Sequence, residues 1–291
     1  MTVQGRELPL CDNHAHTNPI IGMGPRELAR RFRREGGRFI VIVALLTWSL
    51  GLTPGDLNSV RRMYDITVES TRIVNEEGVR SVAVVGLHPA EGYELLRRGW
   101  SKEEVLNFMR KGIDLAAEYV REGRAVGIGE IGRPHWDVPG DIIDLFNELL
   151  EYALGVARDV NAVVHLHLER NGINTASSII GMVRRVGNRP YSVVMHHTEP
   201  ITIDMASGNG VMPSIPMGRR GEFEEAVKYG PRFVVESDFI DDPKRPGAVI
   251  PPWTLAKKLK TYLFNGFINE EFLQTICVDN INRVYGVDVM G

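Results

Sequence analysis

The segment Leu10-Cys11-Asp12-Asn13-His14-Ala15-His16 places two imidazoles two residues apart, directly after an apolar run. On a strand alternate residues share a face, so Asp12, His14 and His16 point the same way. Two neutral imidazoles on one face make half of a metal site, the alternative being a hydrogen-bonded histidine pair at a strand end. Further along stand His88, Glu130, His165 with His167, His196 with His197, and Asp238. Imidazole mixed with carboxylate suits Zn²⁺, Mn²⁺ or, with more retained water, Mg²⁺. Two such ions about 4 Å apart share a water nucleophile and polarise a phosphoryl or carbonyl oxygen, which is hydrolytic chemistry.

The elements that must position these groups read as alternating strands and helices. Strand-like runs begin near Leu8, Arg38, Val79, Arg124, Ala162, Tyr191, Gly210 and Arg232. Helices are expected over 25–35, 57–77, 101–122, 141–159, 175–186, 222–229, 253–262 and 270–285, from their periodicity and from signals such as Ser101 with Glu104 and the stops at Gly36 and Gly78. Eight βα units with nearly continuous apolar strands indicate a closed parallel (β/α)8 TIM barrel, with helices ending the chain. An open doubly wound sheet is the other arrangement, but no glycine-rich phosphate loop follows the first strand. No Pro- or Ser-rich linker interrupts the pattern, so residues 1–291 read as one domain. In a barrel the carboxyl ends of the strands converge on one mouth, and the candidate ligands fall at those ends.

Composition narrows the setting. With 43% hydrophobic residues, 291 residues can bury a sizeable core. Two cysteines, Cys11 and Cys277, are too few for a disulfide framework and fit a reducing compartment. The N-terminus shows no secretory pattern and no apolar run approaches the ~20 residues that span a bilayer, so a cytoplasmic protein without membrane contact is expected. A net charge of −3 argues against wrapping duplex nucleic acid but leaves room for a pocket that takes one strand end. Self-association into a homo-oligomer is compatible with this composition.

The joint order of motifs resembles the TatD family of metal-dependent hydrolases, within the amidohydrolase-like barrels. Asp12-Asn13-His14-Ala15-His16 is similar to its D-x-H-x-H, Gly86-Leu87-His88-Pro89 to its G-[IL]-H-P, and Ala125 to Gly132 to its A-I-G-E-I-G. Ala162-Val163-Val164-His165 and Val194-Met195-His196 match its strand-5 and strand-6 histidines, Glu236-Ser237-Asp238 its E-T-D, and Asn280 to Gly286 its N-x-x-R-[LV]-[FY]-G. The resemblance implies that His14, His16, Glu130 and Asp238 hold one metal and Glu130, His165 and His196 the other, with Glu130 bridging. It gives Asp238 a second task, to orient or deprotonate the attacking water. His88 then contacts the substrate phosphate or leaving group, Arg133 and His167 are further candidate substrate contacts, and Asp12 and His197 support the ligands from behind.

The adjacent His196 and His197 would face opposite ways on a strand, and the family register selects His196 as the inward one. A turn at the strand end would free both. His167 shares parity with His165 and so can face inward too. His135, Arg219 and Arg220 fall in expected mouth loops as anion contacts. The chain departs from the family pattern at His167, where Arg is usual, at His197-Thr198-Glu199, at Arg133-Pro134 and at Phe239. All lie near the mouth and so bear on the substrate.

Three functions follow. The first is a nuclease or phosphodiesterase working at nucleic-acid ends, as the family resemblance implies. The second is an amidohydrolase or lactonase acting on a small ester or amide. The third is a metal-binding protein without turnover, against which Asp238 argues. A phosphoesterase of the PHP type opens with the same D-x-H-x-H, but residues 236–239 lack the D-x-H expected near its end.

Overall fold

The computed structural model describes residues 2–3, 6–7, 9–244 and 249–289. A short antiparallel ribbon of Thr2–Val3 with Arg6–Glu7 precedes an eight-stranded sheet whose neighbours are parallel and follow chain order. We number these strands β1 (Leu10–Ala15), β2 (Gly37–Val43), β3 (Arg80–Val85), β4 (Gly127–Gly132), β5 (Val163–His167), β6 (Val193–Met195), β7 (Val211–Pro216) and β8 (Val234–Glu236). Leu8, where the first strand was expected to begin, lies outside the described residues.

The first and last strands meet and nearly close the barrel. Ala15 bridges Phe239 in parallel, Asp238 N–H donates to His14 O at 3.0 Å, and His16 N–H donates to Phe239 O at 2.7 Å. Asp12 reinforces this seam, since its Oδ1 accepts from the amides of His14 (3.2 Å) and Ser237 (2.9 Å). The fold is a single (β/α)8 TIM barrel.

The surrounding helices are α1 (Gly24–Arg34), α2 (Leu57–Glu76), α3 (Pro89–Arg97), α4 (Lys102–Arg121), α5 (Gly140–Asp159), α6 (Gly172–Val186), α7 (Ile203–Gly208), α8 (Glu222–Val227), α9 (Pro252–Phe264), α10 (Glu270–Gln274) and α11 (Asn280–Tyr285). Local signals explain their ends. Asp56 caps α2 by accepting from Asn58 N and Ser59 N, and Ser101 with Glu104 forms a reciprocal capping box on α4. A cap of this kind stabilises a helix by about 1 kcal/mol. The strands are buried because helices cover the sheet's outer face while strand side chains fill the barrel, as the fully buried run Ile40, Val41, Ile42 and Val43 shows.

Three features were not legible as elements. Helix α3 begins at Pro89, directly behind His88, and α7 is a short helix between β6 and β7. The helix expected over 270–285 is interrupted by a π-helical turn, Thr275–Asp279, that carries Cys277 against β1, where the Cys11 thiol donates to Cys277 Sγ at 3.0 Å. The fourth strand also lies further along than expected, over Gly127–Gly132 rather than from Arg124, so Glu130 is inside the strand. Its register against β5 shifts between Ile128 and Ile131, a bulge that re-aims a side chain.

Candidate metal centre at the barrel mouth

The carboxyl ends of the strands enclose a cavity of about 590 Å³. Its floor carries His16, Glu130, His167, His196 and Asp238, contributed by five different strands or the turns after them. Glycines make the closest approach possible. A Cβ placed on Gly132 would fall 2.0 Å from the carbonyl oxygen of His167, so only glycine lets β4 and β5 run close enough for Glu130 Oε2 to meet His167 Nδ1 at 2.7 Å.

Glu130 is the hub. Its Oε1 lies 3.2 Å from both His14 Nε2 and His16 Nε2, while its Oε2 faces His167 Nδ1 and stands 3.8 Å from His88 Nε2 and from His196 Nε2. Burial acts to raise its pKa, but the histidines around it outweigh burial and hold the carboxyl well below the usual carboxylate range. Asp238 is likewise kept ionised. Burial opposes this, and the His197 ring, whose Nε2 is 2.8 Å from Asp238 Oδ2, wins.

Three imidazoles stack across the floor. His14 and His196 have ring centroids 3.9 Å apart at 17°, and His196 and His197 lie 4.1 Å apart at 18°. Burial lowers the pKa of His14 and drives that of His196 well below its ordinary value, so both are neutral, the form that binds metal. His197 differs: burial acts against its charge, yet the Asp238 carboxylate raises its pKa to about 9.

Whether a cation fits here is decided by His16. Its Nδ1 is 3.0 Å from Val43 O, and a carbonyl can only accept, so the ring proton sits on Nδ1. In the neutral ring Nε2 then presents a bare lone pair to Glu130 Oε1 at 3.2 Å. Two acceptors in that position need a positive charge between them, either a proton or a metal ion. His14, His16 and Glu130 offer ligand atoms close enough to share one ion. The residues present fit a divalent metal.

His88 is a different case, although it too lies near Glu130 and His167. Its Nδ1 accepts the Ala90 amide proton at 2.9 Å, as the cap of α3. Burial pushes its pKa well below the ordinary value, so its one proton sits on Nε2, which faces the cavity as a donor. Its Nε2 thus presents a proton, rather than a lone pair, to the cavity.

The structure redistributes several expected site residues. His165 was expected to hold metal, but it lies fully buried behind His14, with Nδ1 3.1 Å from His14 Nδ1 and Nε2 2.7 Å from Tyr285 Oη. His167, two residues nearer the mouth, occupies the cavity instead, with His135 Nδ1 2.6 Å from its Nε2. Arg133, expected to touch substrate, is turned away and buried. It is paired with both oxygens of Glu169 at 2.7 and 2.8 Å and also bonded to Ser178 Oγ, which leaves its guanidinium no reach into the cavity. Asp12 does not touch the His14 ring and holds the barrel seam instead. His196 and His197 both reach the mouth, because β6 ends at Met195 and His197 takes φ 56°, so strand alternation no longer applies. Arg219 lines the cavity, whereas Arg220 is exposed and outside it.

Glu236 and Tyr285 were missed. Glu236 Oε1 accepts from His197 N at 2.8 Å and lies 2.9 Å from His196 Nδ1, a nitrogen left without an aligned hydrogen-bond partner. Burial raises the Glu236 pKa to about 8. The available signals were the place of Glu236 in the E-T-D-like segment, with the parity of Asp238, and that of Tyr285 as the aromatic of the Asn280 to Gly286 motif. Neither showed the partner, and His165 lies 120 residues from Tyr285.

A family model described as TatD related DNase matches residues 11–286. The chain belongs to the TatD family. It is 32% identical over 286 residues to an uncharacterised protein of Methanocaldococcus jannaschii, covering 98% of each chain. Among solved structures, the TatD homologue YJJV of Escherichia coli is similar with a TM-score of 0.65 at 18% identity, covering 96% of this chain and 98% of that one. A mutant PTE-like lactonase of Deinococcus radiodurans is similar with a TM-score of 0.62 at 17% identity, covering 94% and 95%. At those identities the solved structures share the fold. TatD membership together with the histidine and carboxylate cluster makes this chain a metal-dependent hydrolase. Among the described residues no helix is long and apolar enough to cross a membrane.

The two histidines after β6 separate by experiment. His196→Ala is expected to lower metal content, because a neutral ring facing Glu130 and Asp238 is lost. His197→Ala should keep the metal but lower turnover, since Asp238 loses the partner that holds it. Elemental analysis and turnover on the same samples check both, and the reverse pattern would reassign the pair.

Proposed function

We propose that this TatD chain is a phosphodiesterase of the nuclease type, acting on nucleic-acid strand ends with water activated at a pair of divalent ions, Zn²⁺, Mn²⁺ or Mg²⁺. The observation that carries the proposal is the pairing of an anionic, metal-fitting floor with cationic and donor groups on the wall above it. Arg219 lines the cavity, and its buried Nε has no hydrogen-bond partner among the described residues. His88 directs its Nε2 proton to the same space. A guanidinium free to make parallel bonds suits a phosphoryl group. Leu45, Leu46, Trp136 and Ile240 also line the cavity and offer apolar surface against which a base can lie. A cavity of about 590 Å³ takes a strand end or a small ester rather than a duplex.

In this reading His14, His16, Glu130, His167, His196 and Asp238 would hold the ions. The bound ions would supply Lewis acidity toward a phosphoryl oxygen and an acidified water. Asp238, ionised and hydrogen-bonded by His197, takes a proton from the attacking water. Arg219 holds the phosphoryl oxygens of the bound substrate, and His88 donates toward the negative charge that builds as the bond to the leaving oxygen breaks.

The test is a substrate screen of metal-loaded protein against single-stranded DNA, RNA, a chromogenic phosphodiester, lactones and amides. Phosphodiester cleavage is expected, and Arg219→Ala should raise KM on the order of tenfold with a smaller change in kcat. Turnover confined to lactones or amides would replace this reading with an amidohydrolase or lactonase. No turnover by fully loaded protein would leave a metal-binding protein.

A further inference from the structure

His165 is a fully buried histidine that the metal-binding set does not use, and it sits in an unbroken line of hydrogen bonds. Asn13 Nδ2 donates to Ser214 Oγ at 3.2 Å, which turns Asn13 Oδ1 toward Tyr285. Tyr285 Oη donates to that oxygen at 2.6 Å. With its proton committed, Tyr285 Oη can only accept from His165 Nε2, 2.7 Å away, so His165 carries its proton on Nε2. His165 Nδ1 is then a lone pair, and His14 Nδ1, 3.1 Å from it, must be the donor. His14 Nε2 is left bare, 3.2 Å from Glu130 Oε1.

The direction of this line matters because His14 has a competing choice. Without an acceptor at Nδ1, its proton would move to Nε2, where Glu130 Oε1 would receive it, and the ring could no longer bind a cation there. His16 reaches the same state by another route, through Val43 O. Backbone carbonyl and side-chain relay thus prepare the two neighbouring rings with both Nε2 lone pairs aimed at one carboxylate oxygen.

We propose that His165 and Tyr285 are positioning residues that fix His14 as its Nδ1–H tautomer and thereby present Nε2 to the metal. The proposal rests on the metal reading of His14, His16 and Glu130. Partners of this kind behind a metal ligand commonly change affinity 10–100-fold.

Two measurements test it. In metal-free protein labelled with ¹⁵N-histidine, long-range ¹H–¹⁵N spectra read the tautomer of His14, whose signals are those lost in His14→Gln. The wild type should show a fully protonated Nδ1, and Tyr285→Phe, which keeps the ring and loses only the hydroxyl, should show a population without it. Zn²⁺ affinity from competition with a chromophoric chelator should fall about 10–100-fold in His165→Leu. It should recover substantially in His165→Asn, whose Oδ1 stands where Nδ1 did as an acceptor, with thermal unfolding of the two metal-free variants alike. His14 without a proton on Nδ1 in the wild type, or His165→Leu binding Zn²⁺ as the wild type does, overturns the proposal. If the wild type binds no Zn²⁺ at all, the metal reading fails, and the tautomer spectra still decide whether the relay sets His14.

Discussion

Asp238→Asn will reduce turnover by ~10²–10⁴, the usual worth of a general base, while most of the metal and the whole fold are retained. The structure makes this substitution unusually clean. Asp238 has φ 50°, in the left-handed region, which asparagine tolerates as readily as aspartate. Asparagine keeps one oxygen, which can accept from His197 Nε2, now 2.8 Å from Asp238 Oδ2, or turn toward a cation, so some loss of metal affinity is expected and is made up by saturation. What the amide cannot do at neutral pH is take a proton. Turnover and metal content are to be read on one sample, with metal added back to saturation so that weakened binding does not pass for lost base catalysis. Near-wild-type turnover in the saturated variant would remove Asp238 from the proton-transfer step.

Glu130→Gln should strip at least one of two divalent ions and abolish most activity. The two carboxylate oxygens address different partners: Oε1 faces His14 and His16, and Oε2 faces His167, with His196 further off. Glutamine keeps one oxygen and replaces the other with an amino group that only donates, so whichever way it turns, one set loses its anionic ligand. Elemental analysis after reconstitution is expected to give close to two ions per chain for the wild type and one or fewer for the variant. Both ions retained with full activity would show that Glu130 is not the bridge. No metal uptake by the wild type would remove the hydrolase mechanism altogether.

The sequence by itself determined the order of strands and helices and the chemical types gathered at one mouth. Those features rest on local physics: apolar runs bounded by turns, caps such as Asp56 and Ser101, and the alternation that puts His14 and His16 on one face. Family motifs added which carboxylates matter. Depth and pairing were decided only by the tertiary structure. His165 and His167 have the same parity, and the register of β5 against β4, Gly132 opposite His167, chooses which one reaches the cavity. Arg133 looked like an anion contact until Glu169, 36 residues away, claimed it. His197 joined the site because the chain turns into a left-handed conformation after Met195, which no periodicity encodes. Tyr285 reaches His165 because the C-terminal helix packs back under β1, and such a contact across 120 residues has no local signature. Side-chain type and spacing are properties of neighbours along the chain. Which donor faces which acceptor, and so which nitrogen of His14 is left to bind metal, is settled only when distant segments close the barrel around it.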